Sequence, residues 1–458
     1  MAIESEVLVV GGGLAGITSA IAAAREGADV RLVCHKRTSL RQASGLIDGL
    51  GYVPSRTDTA ASETITQRRK DFRTVRSSRS EYTGPLVTPF TEIEALPPTH
   101  PYSILGEDAL REGLALFDEM TGEMYLGSHT EKNALVPTFG GTVKPTARYP
   151  RAVAAGLASD SRPMTIIGVR SFTEFDARQV ADSLELAGVP FDVTGAEVEF
   201  AEAFGADAKI TRVAKALDHD EPIDGTPARQ ALVEAVEPHL GDAERVGFPA
   251  LLGDDHTTEV RADLGDRLGV DVFEIPMGPP SLLGLRLEDR LYDALDAEGV
   301  RFETGNPVVG YETSEDDPNR IESVWVDHKG REVPYSAEQF VLATGGFVGK
   351  GLDSDRQRVQ EPVFDCHVPQ PADRYDWFVD DAFGDHPYAR FGVRPNESMQ
   401  PLDAAGEPEF ANLYAAGSVV GGADIAREKS ASGVSLATGV VAGRMAADPV
   451  DEPSPRAE

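Results

Sequence analysis

Hydrophobic and polar positions change their period three times within the first 34 residues. Val7 to Val10 form an unbroken apolar run, the pattern of a parallel strand covered on both faces. Three glycines follow, and then Leu14, Ile17, Ala20, Ile21 and Ala24 recur at helical spacing. After the turn Gly27-Ala28-Asp29, Val30 to Val33 predict a second strand. Later, helical spacing covers Gly106 to Thr121 and Asp176 to Ala187. Another helix is predicted from Thr226 and Pro227, a hydroxyl cap with proline in the first turn, through Val236. Met164 to Val169 and Val189 to Thr194 read as strands on either side of the second helix. A Pro-rich turn feeds a helix that continues to Asp296, and the short strands Arg301-Phe302, Val308 to Tyr311 and Val324 to Val326 follow. An apolar strand from Gln339 to Leu342 ends in Ala343-Thr344-Gly345-Gly346.

The chemistry gathers where these patterns break. Gly11, Gly13 and Gly16 complete G-x-G-x-x-G between strand and helix. The first glycine permits the tight turn, the second lets a phosphate reach the backbone, and the third lets the helix pack on the strand. The helix start at Leu14 and Ala15 then offers free N–H groups and a partial positive charge to a diphosphate. The competing reading is a Gly-rich turn without a ligand. A dinucleotide site places an acid at the end of the second strand to hold a ribose. Here Cys34 stands there, followed by His35, Lys36 and Arg37, which weighs against NAD and leaves Lys36 as a phosphate contact or a solvated strand end.

Two further Gly-rich stretches turn the expectation from any nucleotide toward a flavin. One is Thr344, Gly345 and Gly346; the other is Ala415-Ala416-Gly417-Ser418, in which Ser418 replaces the usual Asp. Gly433, Val434 and Ser435 open a helix whose N-terminus can stabilise an anionic reduced ring. A small-residue run beyond the second strand, including Ser44 and Gly45, suits close approach to the flavin ring. A diphosphate favours FAD, but Cys34 and Ser418 keep FMN open.

Charge narrows the partners. Asp and Glu number 76 against 43 Lys and Arg, for a net charge of −33. Such a field repels nucleic acid and anionic membranes. Only nine of the basic residues are Lys, and acid spread through the chain matches life at high salt, where self-repulsion is screened. Two cysteines, Cys34 and Cys366, cannot build an iron–sulfur or zinc cage alone. No signal-like leader or membrane-length apolar run is visible, so the expected location is cytoplasmic. One island stands out: five arginines and Lys70 between Arg68 and Arg79, against only Asp71. It reads as a solvated insertion or as a contact with an acidic partner subunit or anionic lipid.

The stretches G-G-G-L-A-G near the start and T-S-L-R-Q-A-S-G-L-I-D at 38–48 resemble the B subunit of anaerobic glycerol-3-phosphate dehydrogenases. So do His100-Pro101-Tyr102, Gly141 to Thr146 and Ile275 to Arg286. The resemblance implies oxidation of sn-glycerol 3-phosphate to dihydroxyacetone phosphate, with electrons passed to quinone. It implies two partners, a flavoprotein A subunit, and an iron–sulfur C subunit on the cytoplasmic face of the membrane. It also implies FMN on this chain. Two alternatives are a non-catalytic electron-transfer subunit and a fumarate-reductase-like flavoprotein.

The expected fold is α/β, a Rossmann-like flavin-binding domain built from both chain ends with an inserted α+β cap domain. Residues 1–54, 271–346 and 405–447 form the flavin domain. Residues 55–89 are the polar insertion, 90–270 the cap, 347–404 a return to it, and 448–458 an acidic tail. Lys144 and His256 are the candidate catalytic residues, with Arg148, Arg286 and Arg427 as further candidates for a substrate phosphate.

Overall fold

The computed structural model describes residues 3–36, 39–55, 82–200, 209–279 and 281–448. The basic run at 68–79, Arg37 and the tail from 449 lie outside the described residues. The chain divides into two compact units. The first comprises Met1–Arg37, Asp48–Phe117 and Ala294–Glu458; the second comprises Thr38–Ile47 and Asp118–Asp293.

The first unit is built on a seven-stranded sheet. Strand β1 (Ile3–Val10) leads into helix α1 (Leu14–Arg25) and strand β2 (Val30–Cys34). β1 lies between β2 and the long strand Glu332–Leu342, parallel to both, with Val10 level with Val33 and with Leu342. Arg301–Thr304 extends the sheet beyond β2, also parallel. The long strand changes partner along its length. Its first half runs antiparallel to Ile321–Asp327 in a meander, and its last three residues pair in parallel with Leu413–Ala415. Strands from the start, the middle and the end of the chain therefore finish at one edge of the sheet. Such an edge is where open α/β sheets carry their ligands.

Helix α1 is buried from Leu14 to Ala23 and packs on the closing helix Ala431–Ala447. That helix is buried nearly all round and is rich in Gly and Ala, as a helix enclosed by protein must be. A Cβ on Gly439 would lie 2.8 Å from the Ala15 carbonyl oxygen, so the two backbones touch where those residues fall.

The second unit corrects the expected α+β cap. It holds a four-stranded, wholly parallel sheet in the order Val193–Val198, Met164–Val169, Arg245–Pro249, Asp271–Ile275. The chain order across the sheet is 2-1-3-4, with helices Ala177–Ala187, Ile210–Asp218, Ala228–Val236 and Thr257–Leu268 between successive strands. Adjacent residues on one strand feed opposite cores: Ile166 packs with Phe175, Leu184 and Phe273, whereas Ile167 packs with Leu217, Phe248 and Leu264.

The division of the chain also differs from expectation. Residues 90–117 belong to the first unit, because the helix Glu107–Thr121 lies against the closing helix, where a Cβ on Gly113 would meet Leu436 backbone at 2.7 Å. Residues 271–293 stay in the second unit, whose edge strand is Asp271–Ile275. Residues 347–404 fall in the first unit, where Val393 bridges to Val420. Two element boundaries move as well. The strand predicted at Val189 begins at Val193, after the left-handed Gly188 cap. Thr226-Pro227 pairs with Pro222-Ile223 in a small hairpin, so the following helix starts at Ala228. Among the described residues no helix is long and apolar enough to cross a membrane.

Candidate functional site

At the end of β1 the three motif glycines have distinct surroundings. Gly11 sits at φ +118°, and a Cβ there would run into the Ala343 carbonyl oxygen. A Cβ on Gly16 would run into the Gly11 carbonyl oxygen. Gly12 faces Cys34, whose Sγ would lie 2.9 Å from an added Cβ. Gly13 alone opens onto free space, with nothing within 4 Å of an added Cβ. Gly13 is also the cap residue of α1; no side chain caps that helix and no acid stands in its first turn. The turn is therefore closed on the protein side and open, with unengaged N–H groups, on the other. That is a cradle for an anion.

The neighbouring strand ends complete the edge. After the long strand, Gly345 adopts φ +86°, and the Gly346 N–H donates to Ser418 Oγ at 3.0 Å. Thr344 Oγ1 is buried without a hydrogen-bond partner, a polar atom awaiting one. After Leu413–Ala415, Gly417 takes φ +78° and approaches α1, with an added Cβ 2.7 Å from Ala15 Cβ. Its N–H donates to Thr438 Oγ1 at 2.8 Å, which fastens this turn to the closing helix. Gly11, Gly13, Leu14, Ala15, Gly16, Thr344, Gly345, Gly346, Gly417, Ser418, Gly433, Val434 and Ser435 thus all lie in the first unit. Gly433 and Val434 are in the first turn of the closing helix, and the Ser435 hydroxyl donates back to Ala431 O. Lys36, just beyond β2, is exposed.

A buried polar network that the sequence did not disclose stands behind this edge. The carboxylate of Glu428, 1% exposed, accepts from His100 Nε2 at 3.0 Å, from Ser430 Oγ at 2.9 Å and from the Asp424 N–H at 3.1 Å. His100 Nδ1 accepts from the Tyr102 N–H at 3.0 Å, so Nε2 carries the ring proton and donates. Tyr102 OH donates to Gly49 O at 2.7 Å. Burial, followed by the charges of Glu428 and Asp48, pushes the Tyr102 phenol up, which keeps it a donor. The Glu428 carbonyl accepts from the N–H groups of Gly51 and Tyr52. His100 and Glu428 are 328 positions apart, and neither sits in a motif that would join them.

The remaining candidates except Arg427 lie in the second unit. Ser44 and Gly45 belong to it, with Gly45 at φ +74° against Leu283 and its carbonyl accepting from Tyr125 OH. Lys144 is half-buried on the hairpin strand Val143–Thr146, opposite Val136. His256 is exposed, and its segment is held by backbone: the N–H groups of Asp254, Asp255 and His256 all donate to Asp218. Arg148 and Arg286 are committed to ion pairs, Arg148 bidentate to Asp118 at 2.7 and 2.9 Å and Arg286 bidentate to Glu274 at 2.6 and 3.0 Å. Both are buried supports rather than free phosphate ligands. Arg427, in the first unit, lies 5.4 Å from the Tyr82 ring centroid and 3.8 Å from Asp385.

Residues 6–434 match the FAD binding domain family. A probable B subunit of anaerobic glycerol-3-phosphate dehydrogenase from Halobacterium salinarum is 52% identical over 456 residues, spanning 99% of this chain and 100% of that one. The B subunit of the anaerobic enzyme from Actinobacillus pleuropneumoniae is 27% identical, spanning 94% of this chain and 96% of its own. A flavocytochrome c3 fumarate reductase in its open conformation overlays with a TM-score of 0.43 at 13% identity, covering 97% of this chain and 78% of that one.

Proposed function

The chain belongs to the FAD binding domain family and to the B-subunit family of anaerobic glycerol-3-phosphate dehydrogenases, and we propose that it oxidises sn-glycerol 3-phosphate to dihydroxyacetone phosphate with bound FAD, its electrons leaving through the partner A and C subunits to quinone. It is a flavin-dependent dehydrogenase subunit, and FAD rather than FMN suits both its family and its turn. The observation that carries the cofactor is the contrast at the turn: Gly13 faces open space beside an uncapped helix start, while Gly11, Gly12 and Gly16 are closed in. The orphaned Thr344 Oγ1 adds a polar group on the same sheet edge.

Bound FAD supplies the acceptor for the hydride that leaves C2 of the substrate. The protein's part is to bind and orient. The N–H groups of Leu14 and Ala15 would hold a phosphate of the cofactor at the positive end of α1. Thr344 Oγ1 and the turn at Gly417 and Ser418 would offer hydrogen bonds to its polar chain. The first turn of the closing helix, at Gly433 to Ser435, would offer its partial positive charge to a bound flavin.

The test is the assembled complex in molar KCl, with flavin identity and stoichiometry measured after denaturation. FAD bound to this chain, together with glycerol 3-phosphate oxidation by an artificial acceptor, is expected. Bound flavin without turnover by this chain would make it an electron-transfer subunit, and turnover of a dicarboxylate instead would make it fumarate-reductase-like. Lys144→Ala and His256→Ala, assayed with flavin content held equal, tell whether either residue acts on substrate.

A further inference from the structure

Exposed apolar side chains gather in one stretch of the first unit. Tyr375, Phe378, Val379, Phe383 and Tyr388 all face water, Tyr375 at 79% exposure and Phe383 at 86%. Aromatic residues make up only 7% of this chain. The backbone beneath these rings is held in place. Trp377 is buried and perpendicular to Phe391, with ring centroids 5.9 Å apart, and its indole N–H donates to Pro371 O at 3.0 Å. The loop from Val379 to His386 closes on the His386 ring. Nδ1 accepts from the Val379 N–H at 3.2 Å, and Nε2 donates to Ala382 O at 3.2 Å. Further along, the Phe383 N–H donates to Asp381 Oδ1 at 3.0 Å and the Gly384 N–H to Asp381 O at 2.9 Å. A Cβ on Gly384 would run into Val379. Phe378 packs on His386 and Tyr388, with ring centroids at 6.0 and 4.7 Å. Polar bonds thus order a loop whose rings lie outside any core.

Ordered, solvent-facing aromatic rings are the anchors of protein interfaces, because little conformational freedom is left to lose on docking. Charge selects the partner. From 373 to 385, five Asp stand against Arg374 alone. Asp385 is paired with Arg390 at 2.5 Å, whereas the side chains of Asp376 and Asp380 have no partner among the described residues. A second copy docking by twofold symmetry would set this acidic edge against itself. The complement is a different protein, with an apolar centre edged by Lys and Arg. The Tyr388 ring also lies 6.2 Å from that of Phe347, which directly follows Gly346 of the flavin edge. A partner seated there stands beside the proposed cofactor, a position that suits an electron acceptor.

We propose that the face formed by Phe378, Phe383 and Tyr388 docks a partner subunit with an apolar centre and a basic edge. The proposal rests on the multi-subunit reading above. Its test is sedimentation velocity of the flavin-loaded full chain with the A and C subunits in constant molar KCl, with FAD content read in parallel. The parent is expected to assemble. Phe378→Ser and Phe383→Ser are each expected to weaken assembly by about tenfold or more, with FAD content unchanged. Asp376→Lys and Asp380→Lys together are expected to weaken it by about tenfold as well. Leu186→Ser, which removes an exposed side chain of the second unit, is expected to leave it unchanged. If the parent assembles and both phenylalanine variants assemble equally well, the docking face is overturned and the multi-subunit reading stands. A parent that does not assemble fails that reading and the proposal with it. Loss of FAD from the phenylalanine variants would give the rings to the cofactor site, and a parent homodimer lost in Phe383→Ser would give them to a second copy. Either result overturns the proposal, as does equal or tighter assembly of the aspartate variant.

Discussion

Replacing Gly13 and Gly16 in turn by alanine separates the two jobs of the opening motif. At Gly13 the backbone is extended (φ −75°, ψ −178°), and a methyl group would meet nothing within 4 Å. Alanine is a poorer helix cap than glycine, a cost of about 1 kcal/mol or less, and the smaller entropy of its unfolded chain offsets part of that. The apoprotein should therefore melt close to the parent. The methyl nevertheless occupies the open space assigned above to the cofactor phosphate. Losing one charge-assisted hydrogen bond costs about 1.5–3 kcal/mol, so FAD affinity should fall by about 10- to 150-fold. At Gly16 the methyl falls on the Gly11 carbonyl, a backbone atom that cannot swing aside. Overpacking of this kind costs about 1–3 kcal/mol or more, a sizeable share of a total stability of about 5–15 kcal/mol. Thermal melts of both apoproteins and fluorescence titrations with FAD, all in molar KCl, give the four numbers needed. A Gly13→Ala protein that binds FAD as tightly as the parent would refute the assignment of that open face to the cofactor phosphate.

The other expectations concern charge. Removing salt should lower the melting temperature steeply, because the screening length grows from about 3 Å at 1 M to about 30 Å at 0.01 M while the net charge stays at −33; an unchanged melt at low salt would sink the halophilic reading. His100→Ala removes the imidazole donor from the buried Glu428 carboxylate, which keeps Ser430 and the Asp424 N–H, and should cost about 1.5–3 kcal/mol in thermal or denaturant melts. Asp160 is held down to about 2, chiefly by its hydrogen bond from Arg162. A depressed carboxyl stabilises the fold above its ordinary pKa of about 4, and the contribution is lost as pH falls through about 2. Asp160→Asn should thus destabilise modestly at neutral pH, as a surface pair does, and the gap from the parent should close as the pH is lowered.

The sheet edge with its Gly-rich turns was legible because it is written in local order: apolar strand, glycines, helical spacing. Each of the three Gly-rich stretches carries its own conformational demand, and Gly11, Gly345 and Gly417 do take positive φ. The second sheet was not legible, although Met164 to Val169 announced its first strand. Its third strand, Arg245–Pro249, contains a glycine and ends in proline, and so reads as a loop. In the fold, the missing side chain of Gly247 is what admits the ring of Phe273 from the next strand, which an added Cβ would meet at 2.5 Å. Pro249 stands where the strand ends and needs no further ladder bond. Glu428 was invisible for a different reason. A buried carboxylate has no periodic signature, and its partner His100 lies 328 residues away.

The closing helix shows how such distant pieces act on one site, and it yields a further test. Thr438 Oγ1 holds the Gly417 N–H, Gly417 presses on Ala15, and Gly439 lies on the carbonyl of that same Ala15. Ala15 is in the first turn of α1, beside the open face of Gly13. A methyl on Gly439 would sit 2.8 Å from the Ala15 oxygen and 2.9 Å from Thr18 Cβ, so it must push the two helices apart by several tenths of an ångström. The shift bears directly on the N–H groups proposed to hold the cofactor phosphate and on the turn that leads to Ser418. Gly439→Ala should therefore weaken FAD binding without touching it, while Gly225→Ala, at an open turn of the second unit, should not, whatever each does to the melting temperature. Equal FAD dissociation rates for the parent and Gly439→Ala would mean that α1 is fixed by its own sheet alone, with the closing helix a passive cover.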